Sequence, residues 1–276
     1  MLCPYECRYR VAMPVTVRYP TPHPASRMIR LFLLDIDGCL AEPYVPFRLD
    51  AFARLRAWIE RAETDPRVPR IGLCSGRSYA YVEATAQALS LRAPALFESG
   101  GGRFDLAAAR ITWNPALTPA VEADLAAVRA FLLGSIVPRS PTVSYDYGKR
   151  TQAGIVTPVA GECGAFLPDV EAFVEARFPD LVAYHTPFSI DVVARAMTKV
   201  RSVAWLAEAE SLDLAEVAFV GDTVGDADAL RSVGLGFAPA NADAAAQAAA
   251  DVVTAGAVVA GVEEAFSVCL TRNGVE

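Results

Sequence analysis

The sequence predicts an α/β fold: a parallel sheet with helices on both faces, and a smaller α+β unit inserted into the chain that forms it. Short apolar segments without polar alternation, such as LFLL at residues 31–34, are typical of strands covered on both faces. Segments with a helical spacing of apolar residues, such as residues 49–62, separate these strands. Between residues 103 and 193 helices mix with consecutive strands, which indicates an α+β layer.

The elements of the parallel sheet share one arrangement, in which an apolar strand leads through a polar or glycine-rich turn towards a helix. The predicted strands are residues 31–34, 70–74, 95–98, 216–220, 234–237 and 251–253. The predicted helices are residues 49–62, 79–89, 198–209 and 241–249, followed by a closing helix that contains Val259, Val262, Phe266 and Cys269. We therefore assign residues 28–102 and 194–276 to one core domain.

The inserted segment, residues 103–193, is predicted to form a second domain of mixed composition. Its predicted elements are a hairpin at 103–113, a helix with apolar residues from Val121 to Leu132, extended segments at 142–147 and 151–156, a helix at 168–178, and strands at 181–184 and 188–193. The three glycines at residues 100–102, which precede it, suggest a flexible exit or a hinge.

The composition favours a packed globular protein and argues against several kinds of partner. The chain has 276 residues, of which 53% are hydrophobic and 21% are charged, enough for one large domain or two smaller ones. Its formal net charge of -7 provides no general basic field for nucleic acid. No apolar run approaches the ~20 residues of a membrane-spanning helix. We expect a monomer or homodimer that does not bind nucleic acid or membranes.

The cysteines and the N-terminal segment indicate a cytoplasmic protein with reduced thiols. The six cysteines show no paired zinc spacing, and Cys39 and Cys74 adjoin apolar strands, where a free thiol packs as a small apolar group. Residues 1–27 are rich in proline, show no periodicity and lack the apolar region of a secretory signal. We expect this segment to be a disordered tail, or Met28 to be the native start.

Polar side chains follow four of the predicted strands, at the point where each strand ends. Asp35 and Asp37 follow the first strand, Ser75 and Gly76 the second, Ser99 the third, and Asp222 the strand after the insertion. Since the carboxyl ends of parallel strands share one edge of a sheet, these residues are expected to meet in one crevice. Asp222 and Asp226 are four residues apart, so both face the same crevice if the second lies in a first helical turn.

The residue types at this edge predict phosphoryl chemistry assisted by a divalent cation. Carboxylate oxygens, without a cluster of histidines or cysteines, favour Mg²⁺. An ionised carboxylate such as Asp35 can act as a nucleophile, and a second one two residues further can act as general acid and base. Ser75 and Gly76, at a strand end that leads into a helix, are suited to holding a phosphate oxygen; an ordinary helix cap is the alternative for Ser75.

The motifs DIDG (35–38), CSGR (74–77), Lys199 and GDTVGD (221–226) together resemble those of the haloacid dehalogenase superfamily of phosphotransferases. Their order covers residues 28–276, with the insertion between the third strand and Lys199. That position is typical of members with a type 2 cap, similar to the Cof-like and sugar-phosphate phosphatases. The resemblance implies a Rossmann-like core and a cap domain.

The resemblance also implies a role for each site residue. Asp35 is expected to be the nucleophile that forms an aspartyl phosphate, and Asp37 the general acid and base. Ser75, Gly76 and Lys199 are expected to bind the phosphoryl group. The expected Mg²⁺ ligands are Asp35, Asp37 through its backbone carbonyl, Asp222, and Asp226 directly or through water. The chain departs from the family pattern at Gly225, where relatives usually carry Asn.

The expected function is hydrolysis of a phosphomonoester of a small soluble metabolite, such as a sugar phosphate or phosphoglycolate. A phosphomutase on the same fold, or a non-catalytic metabolite-binding protein, is the alternative. A dehalogenase would lack the second acid, so Asp37 argues against that reaction. The sequence leaves open whether Arg77 makes a structural ion pair or reaches a substrate or the cap.

Overall fold

The structure is a computed structural model that describes residues 27–275, so the predicted N-terminal tail lies almost entirely outside the described residues. It contains two β-sheets. The strands of the larger sheet are β1 Leu31–Leu34, β2 Arg70–Cys74, β3 Ala95–Phe97, β4 Gly102–Asp105, β5 Arg110–Trp113, β10 Val217–Val220, β11 Leu235–Ala238 and β12 Val252–Val253. The smaller sheet contains β6 Ser144–Tyr145, β7 Gln152–Val156, β8 Leu181–Thr186 and β9 Ser189–Ala194.

Eight α-helices accompany these strands in the described part of the chain. They are α1 Leu49–Ala62, α2 Tyr79–Leu89, α3 Pro119–Phe131, α4 Leu167–Glu175, α5 Lys199–Ala209, α6 Ala227–Ser232, α7 Ala244–Ala249 and α8 Val259–Arg272. A π-helical turn, Leu132–Ile136, extends α3. None of the helices in residues 27–275 combines the length and the apolar character that crossing a membrane would require.

The larger sheet places β1 at the point where the strand order reverses. Its order is β12-β11-β10-β1-β2-β3-β4-β5, and β1 pairs in parallel with both β10 and β2. Leu34 lies opposite Val220 on one side and opposite Leu73 on the other. The residues that follow these three strands therefore emerge together, at the edge where open α/β sheets bind their ligands.

Strand β1 is covered on both faces because its side chains alternate between two cores. Phe32 and Leu34 pack in one apolar cluster with residues of α1, α2 and α8, such as Leu55. Leu31 and Leu33 pack in another with residues of α5, α6 and α7, such as Leu206. All four side chains of β1 are fully buried, which explains its continuous apolar sequence. The predicted α/β fold with helices on both faces is confirmed.

The smaller sheet has a core of its own. Its strands are antiparallel in the order β6-β7-β9-β8, and apolar residues such as Ile190 and Val192 pack against α3 and α4. Asp191, which lies between them in the chain, is opposite both Gly154 and Tyr184, so the side chains of Asp191 and Tyr184 lie on the other face of this sheet. The predicted inserted α+β unit is present.

The hairpin β4–β5 joins a different sheet from the one that the sequence analysis assigned to it. Strand β4 pairs antiparallel with β3, so the hairpin extends the larger sheet instead of the inserted unit. The physical reason is a tight reversal after β3, where an added Cβ at Gly102 would lie 2.2 Å from the ring of Phe97. We propose that the inserted unit begins after Trp113; the division into domains otherwise stays a prediction.

Candidate active site

Asp35 is the first residue after β1 and lies buried at the end of the sheet. Its backbone N–H continues the parallel pairing by donating to the carbonyl oxygen of Val220 across 3.0 Å. Its Oδ1 accepts from the N–H of Ile36 at 2.6 Å. Burial raises the pKa of Asp35 to about 6, although the neighbouring Lys199 opposes this shift. The strand therefore holds this carboxylate in one orientation.

Lys199, the first residue of α5, bridges two of the buried acids. Its ammonium group donates to Oδ2 of Asp35 and to Oδ1 of Asp226, the latter across 2.5 Å. Burial alone would lower the pKa of Lys199, but the carboxylates of Asp226 and Asp35 outweigh it and raise the pKa well above its usual value. The lysine is therefore charged and fixed beside the predicted nucleophile.

Asp226 closes the turn that follows β10. Its Oδ2 accepts from the N–H of Asp222 at 3.2 Å, the N–H of Thr223 at 3.1 Å and the hydroxyl of Thr223 at 3.0 Å. The side chain is fully buried, and both of its oxygens already accept hydrogen bonds. Asp226 thus fixes both the turn and Lys199.

Asp222 reaches across to the loop that follows β1. A Cβ added at Gly38 would lie 1.9 Å from Oδ2 of Asp222, and Gly38 has a φ of +72°, which L side chains rarely adopt. The glycine of the DIDG motif is therefore required for Asp222 to approach Asp35. The thiol of Cys39, in the same loop, lies 3.8 Å from Oδ1 of Asp222.

The carboxylates of Asp35, Asp222 and Asp226 form a group that could hold a metal ion, because one oxygen of each lies within 4.8 Å of the others. Burial, together with the charges of Asp226 and Asp35, raises the pKa of Asp222 to about 8. Such a crowded, oxygen-only set suits a small hard cation such as Mg²⁺, whose charge would relieve the repulsion. The carboxylate of Asp37 is not a member of this group.

Asp37 is paired instead with Arg77. The guanidinium group donates from Nε to Oδ2 of Asp37 at 2.5 Å and from Nη2 to Oδ1 at 2.7 Å. Arg77 also lies over the ring of Tyr81, 4.8 Å from its centroid. Of the two possibilities that the sequence left open for Arg77, the ion pair is the one present in this structure.

Ser75 and Gly76 form the turn after β2, next to the DIDG loop. Ser75 is buried, and its N–H donates to the carbonyl oxygen of Leu96 at 3.0 Å. Its hydroxyl oxygen accepts from the N–H of Arg77 at 3.3 Å. A Cβ added at Gly76 would have only the hydroxyl of Ser99 within 4 Å. Backbone contacts thus hold this turn at the same sheet edge as Asp35.

The inserted unit lies over this edge of the core and touches its loops. The rings of Phe188 and Tyr44 meet edge to face with centroids 5.6 Å apart. A Cβ added at Gly148 would lie 3.1 Å from the side chain of Ser78, and one at Gly225 would lie 3.9 Å from the ring of Tyr184. Gly225 therefore has room for a side chain beneath the inserted unit.

The structure brings together most of the residues predicted from sequence. Asp35, Asp222, Asp226 and Lys199 are in mutual contact or close to it, and Ser75 and Gly76 lie on the adjacent turn. Sequence reasoning missed the bond of Thr223 to Asp226 and the buried Glu98, which binds the inserted unit. The one available signal for Glu98 was an acid at a strand end before three glycines.

Residues 167–266 match the model of a family described as haloacid dehalogenase-like hydrolase, a range that includes Lys199, Asp222 and Asp226. In this part of the chain, the protein is therefore similar to the haloacid dehalogenase-like hydrolases. The family resemblance predicted from the motifs and the prediction of a hydrolase are confirmed.

Two relatives named phosphoglycolate phosphatase extend this likeness over nearly the whole chain. The protein of Methanococcoides burtonii is 26% identical over 251 residues, which cover 89% of this chain and 99% of the relative. That of Natronomonas pharaonis is 25% identical over 245 residues, covering 87% and 97%. The crystal structure of the sucrose-phosphatase of Synechocystis shares the fold with a TM-score of 0.66, at 11% identity over 88% of this chain and 98% of that chain.

Proposed function

We propose that this haloacid dehalogenase superfamily phosphatase hydrolyses the phosphomonoester of a small soluble metabolite through an aspartyl-phosphate intermediate. The observation that carries the proposal is the buried carboxylate of Asp35, which is bound by the charged Lys199 and followed two residues later by a second acid, Asp37. This arrangement offers a nucleophile, a cation for a phosphoryl oxygen and a proton carrier at one sheet edge.

In the first step, an oxygen of Asp35 attacks phosphorus, and the bond from phosphorus to the alcohol oxygen breaks. Asp37, protonated on an oxygen that has left its hydrogen bond with Arg77, gives its proton to the departing alkoxide. In the second step, Asp37 as carboxylate takes a proton from water, whose oxygen attacks the aspartyl phosphate and releases inorganic phosphate and free Asp35. The ammonium group of Lys199 and the hydroxyl group of Ser75 hold the phosphoryl oxygens in both steps.

Asp35, Asp222 and the backbone carbonyl of Asp37 are the residues proposed to hold Mg²⁺. When bound, the ion would supply positive charge that neutralises the phosphate dianion, which these carboxylates would otherwise repel. Asp226 already accepts four hydrogen bonds, so we assign it to fixing Lys199 and the turn of Asp222.

Phosphoglycolate is the first substrate to test, because both curated relatives are named as phosphatases of it. Sugar phosphates come next, since the sucrose-phosphatase shares the fold. We propose that either substrate binds where the inserted unit lies over the sheet edge that carries Asp35. The side chains that the inserted unit turns towards the site would then select the alcohol part of the substrate.

The test is phosphate release from a panel of metabolites with Mg²⁺, compared between the wild type and Asp35→Asn. The amide is nearly isosteric with the carboxylate, so the variant is expected to fold with an unchanged circular dichroism spectrum. We expect it to lose about three orders of magnitude or more in kcat, since it lacks the nucleophile. Equal release by the two proteins, or no release by the wild type from any phosphomonoester, would contradict the proposal.

A further inference from the structure

The loop of residues 98–101, which follows β3, contacts both the turn that carries Ser75 and the inserted unit. We call it the Glu98 loop. The sequence suggests a flexible exit or a hinge at the three glycines 100–102, which overlap this loop, yet the residues of the loop pack closely. A Cβ added at Gly100 would lie 2.0 Å from Cβ of Ser202 in α5, and one at Gly101 would lie 1.7 Å from the hydroxyl of Thr151. The glycines therefore allow close packing on two sides of the loop.

The side chain of Glu98 binds the inserted unit where β7 begins. Its Oε2 accepts from the N–H of Arg150 at 3.0 Å, the N–H of Thr151 at 2.5 Å and the hydroxyl of Thr151 at 2.7 Å. Glu98 is buried. A second contact lies beside it, because Nε2 of Gln152 donates to the hydroxyl of Ser99 at 2.9 Å. One oxygen of one side chain thus collects three donors from the inserted unit.

The backbone of the same two residues holds the turn after β2. The N–H of Glu98 donates to the carbonyl oxygen of Arg77 at 2.8 Å, and the N–H of Ser99 donates to that of Ser75, also at 2.8 Å. Arg77 in turn binds Asp37. A continuous path of hydrogen bonds therefore runs from β7 through Glu98 and Ser99 to both Ser75 and Asp37.

The backbone conformation of the loop agrees with a function beyond connecting strands. Glu98 and Ser99 have φ values of +51° and +57°, in the left-handed region that non-glycine residues rarely adopt. Such conformations persist where the surroundings enforce them, and they are frequent at functional sites. Here the enforcing contacts are the two backbone bonds to the Ser75 turn and the three donors on the Glu98 carboxylate.

We propose that Glu98 is a positioning residue. It couples the packing of the inserted unit against the core to the geometry of the Ser75–Arg77 turn, so that the two form cooperatively. When β7 is seated, its three donors fix Glu98, and the backbone of Glu98 and Ser99 fixes the carbonyl groups of Arg77 and Ser75. The inference rests on the proposed function for its kinetic consequence. Its structural part, the coupling of the two segments, is independent of any reaction.

The experiment compares Glu98→Ala with Glu98→Gln. The alanine removes the acceptor, whereas the glutamine can keep an oxygen in the place of Oε2. The control is Glu122→Ala, which removes the exposed ion pair of 2.6 Å that Arg150 makes with Glu122 and leaves the Glu98 loop intact. The probe is p-nitrophenyl phosphate with Mg²⁺, for kcat and KM. Hydrogen–deuterium exchange is measured at residues 75–78 and 150–156.

We expect Glu98→Ala to lower kcat about tenfold or more and to raise exchange in both segments, because the turn loses its support when β7 is released. Glu98→Gln is expected to stay within about threefold of the wild type, and Glu122→Ala to match it. If exchange became faster at residues 150–156 alone and kcat were unchanged, Glu98 would only hold the inserted unit in place. This result would overturn the inference.

A second variant and the exchange data test the inference if Glu98→Ala does not fold or if the wild type is inactive. If Glu98→Ala does not fold, Thr151→Val is measured in its place, because this substitution deletes only the hydroxyl donor to Glu98. We expect Thr151→Val to lower kcat by a smaller factor than tenfold. An unchanged kcat in this variant would overturn the inference. If the wild type hydrolyses no phosphomonoester, the proposed function fails. The exchange data still decide whether the two segments respond together.

Discussion

The guanidinium group of Arg77 binds both carboxylate oxygens of Asp37, at 2.5 and 2.7 Å. Such a forked contact fixes the plane of the carboxylate as well as its position. Asp37 is the proposed proton carrier, so its orientation relative to Asp35 determines whether it can reach the leaving oxygen. We therefore expect Arg77 to contribute to the proposed reaction through Asp37, without touching the substrate.

Replacing Arg77 should separate the effect of its charge from that of its shape. Arg77→Lys keeps the charge and loses the fork, and Arg77→Met loses both. We expect kcat to fall in the order wild type, Lys variant, Met variant, with about a hundredfold loss for Met because a misplaced general acid is a poor one. Steady-state kinetics measure this order. A Lys variant as slow as the Met variant would show that charge has no part in the effect.

Lys199 is the one cation that contacts Asp35 or Asp226 in the ion pairs of the described residues. Lys199→Met leaves two buried carboxylates without it, so we expect the free energy of unfolding to fall by about 3 kcal/mol in metal-free buffer. Phosphate release should be lost as well. Urea unfolding measures the change, with Arg27→Met, at an exposed ion pair with Asp213, as the control. Equal stability of Lys199→Met and the wild type would contradict the buried bridge.

Gly38 and Gly225 form a matched pair of glycine sites. Gly38→Ala would place a Cβ against Asp222 at a φ of +72°, whereas at Gly225 the nearest atom lies 3.6 Å away. We expect Gly38→Ala to lower the free energy of unfolding by about 2 kcal/mol or more. Gly225→Ala should change it by less than about 0.5 kcal/mol. Thermal melts of both variants test this, and equal losses would contradict the predicted contact.

Removal of divalent cations should abolish phosphate release, and Mg²⁺ should restore it. The readout that does not depend on activity is the melting temperature. A ligand at a hundred times its Kd stabilises the folded state by about 2.7 kcal/mol, so Mg²⁺ should raise the melting temperature of the wild type. Asp222→Asn should lose this rise. Asp228→Asn, which changes an exposed acid in α6, should keep the rise in melting temperature with Mg²⁺. If this variant also lost the rise, the binding of Mg²⁺ would be non-specific.

The buried Glu98 predicts a specific dependence of stability on pH. Burial raises the pKa of Glu98 above its ordinary value of 4.5, although its hydrogen-bond donors and Lys149 oppose the shift. Because the pKa is raised in the folded state, the contribution of Glu98 to the free energy of unfolding is fully present below pH 4.5. This contribution is lost as the pH rises through the pKa of the folded state. Glu98→Gln cannot ionise, so its stability relative to the wild type should increase from pH 4.5 towards neutral pH. Urea unfolding at several pH values checks this; a constant difference would contradict it.

The gathering of the acids was predictable because it depends on the strands. Asp35, Ser75 and Asp222 each follow an apolar strand, and parallel strands bring their carboxyl ends together whatever the details of the loops. Helix α1 was predicted with its observed bounds, Leu49–Ala62, because its apolar stripe ends where the helix ends. Periodicity is sufficient for such elements, since burial of one face determines them.

The contacts made by turns were not predictable from sequence. The hairpin β4–β5 would have the same pattern of apolar and polar residues in either sheet. Its pairing with β3 therefore left no signal in the sequence. The glycines of the Glu98 loop looked like a hinge, but their close packing depends on Thr151 and Ser202, which are distant in the chain. The ion pair of Arg77 with Asp37 likewise depends on side-chain directions in two separate turns.

The pairing of β1 with β10 has a consequence for synthesis on the ribosome. Residues 31–34 leave the exit tunnel long before their neighbours on one side, residues 217–220, which are made only after the entire insertion. Until then the nascent core exposes an apolar strand with one open edge, a template for pairing with other chains. Synthesis of the residues between these two strands is thus the period in which the growing polypeptide depends most on protection from aggregation.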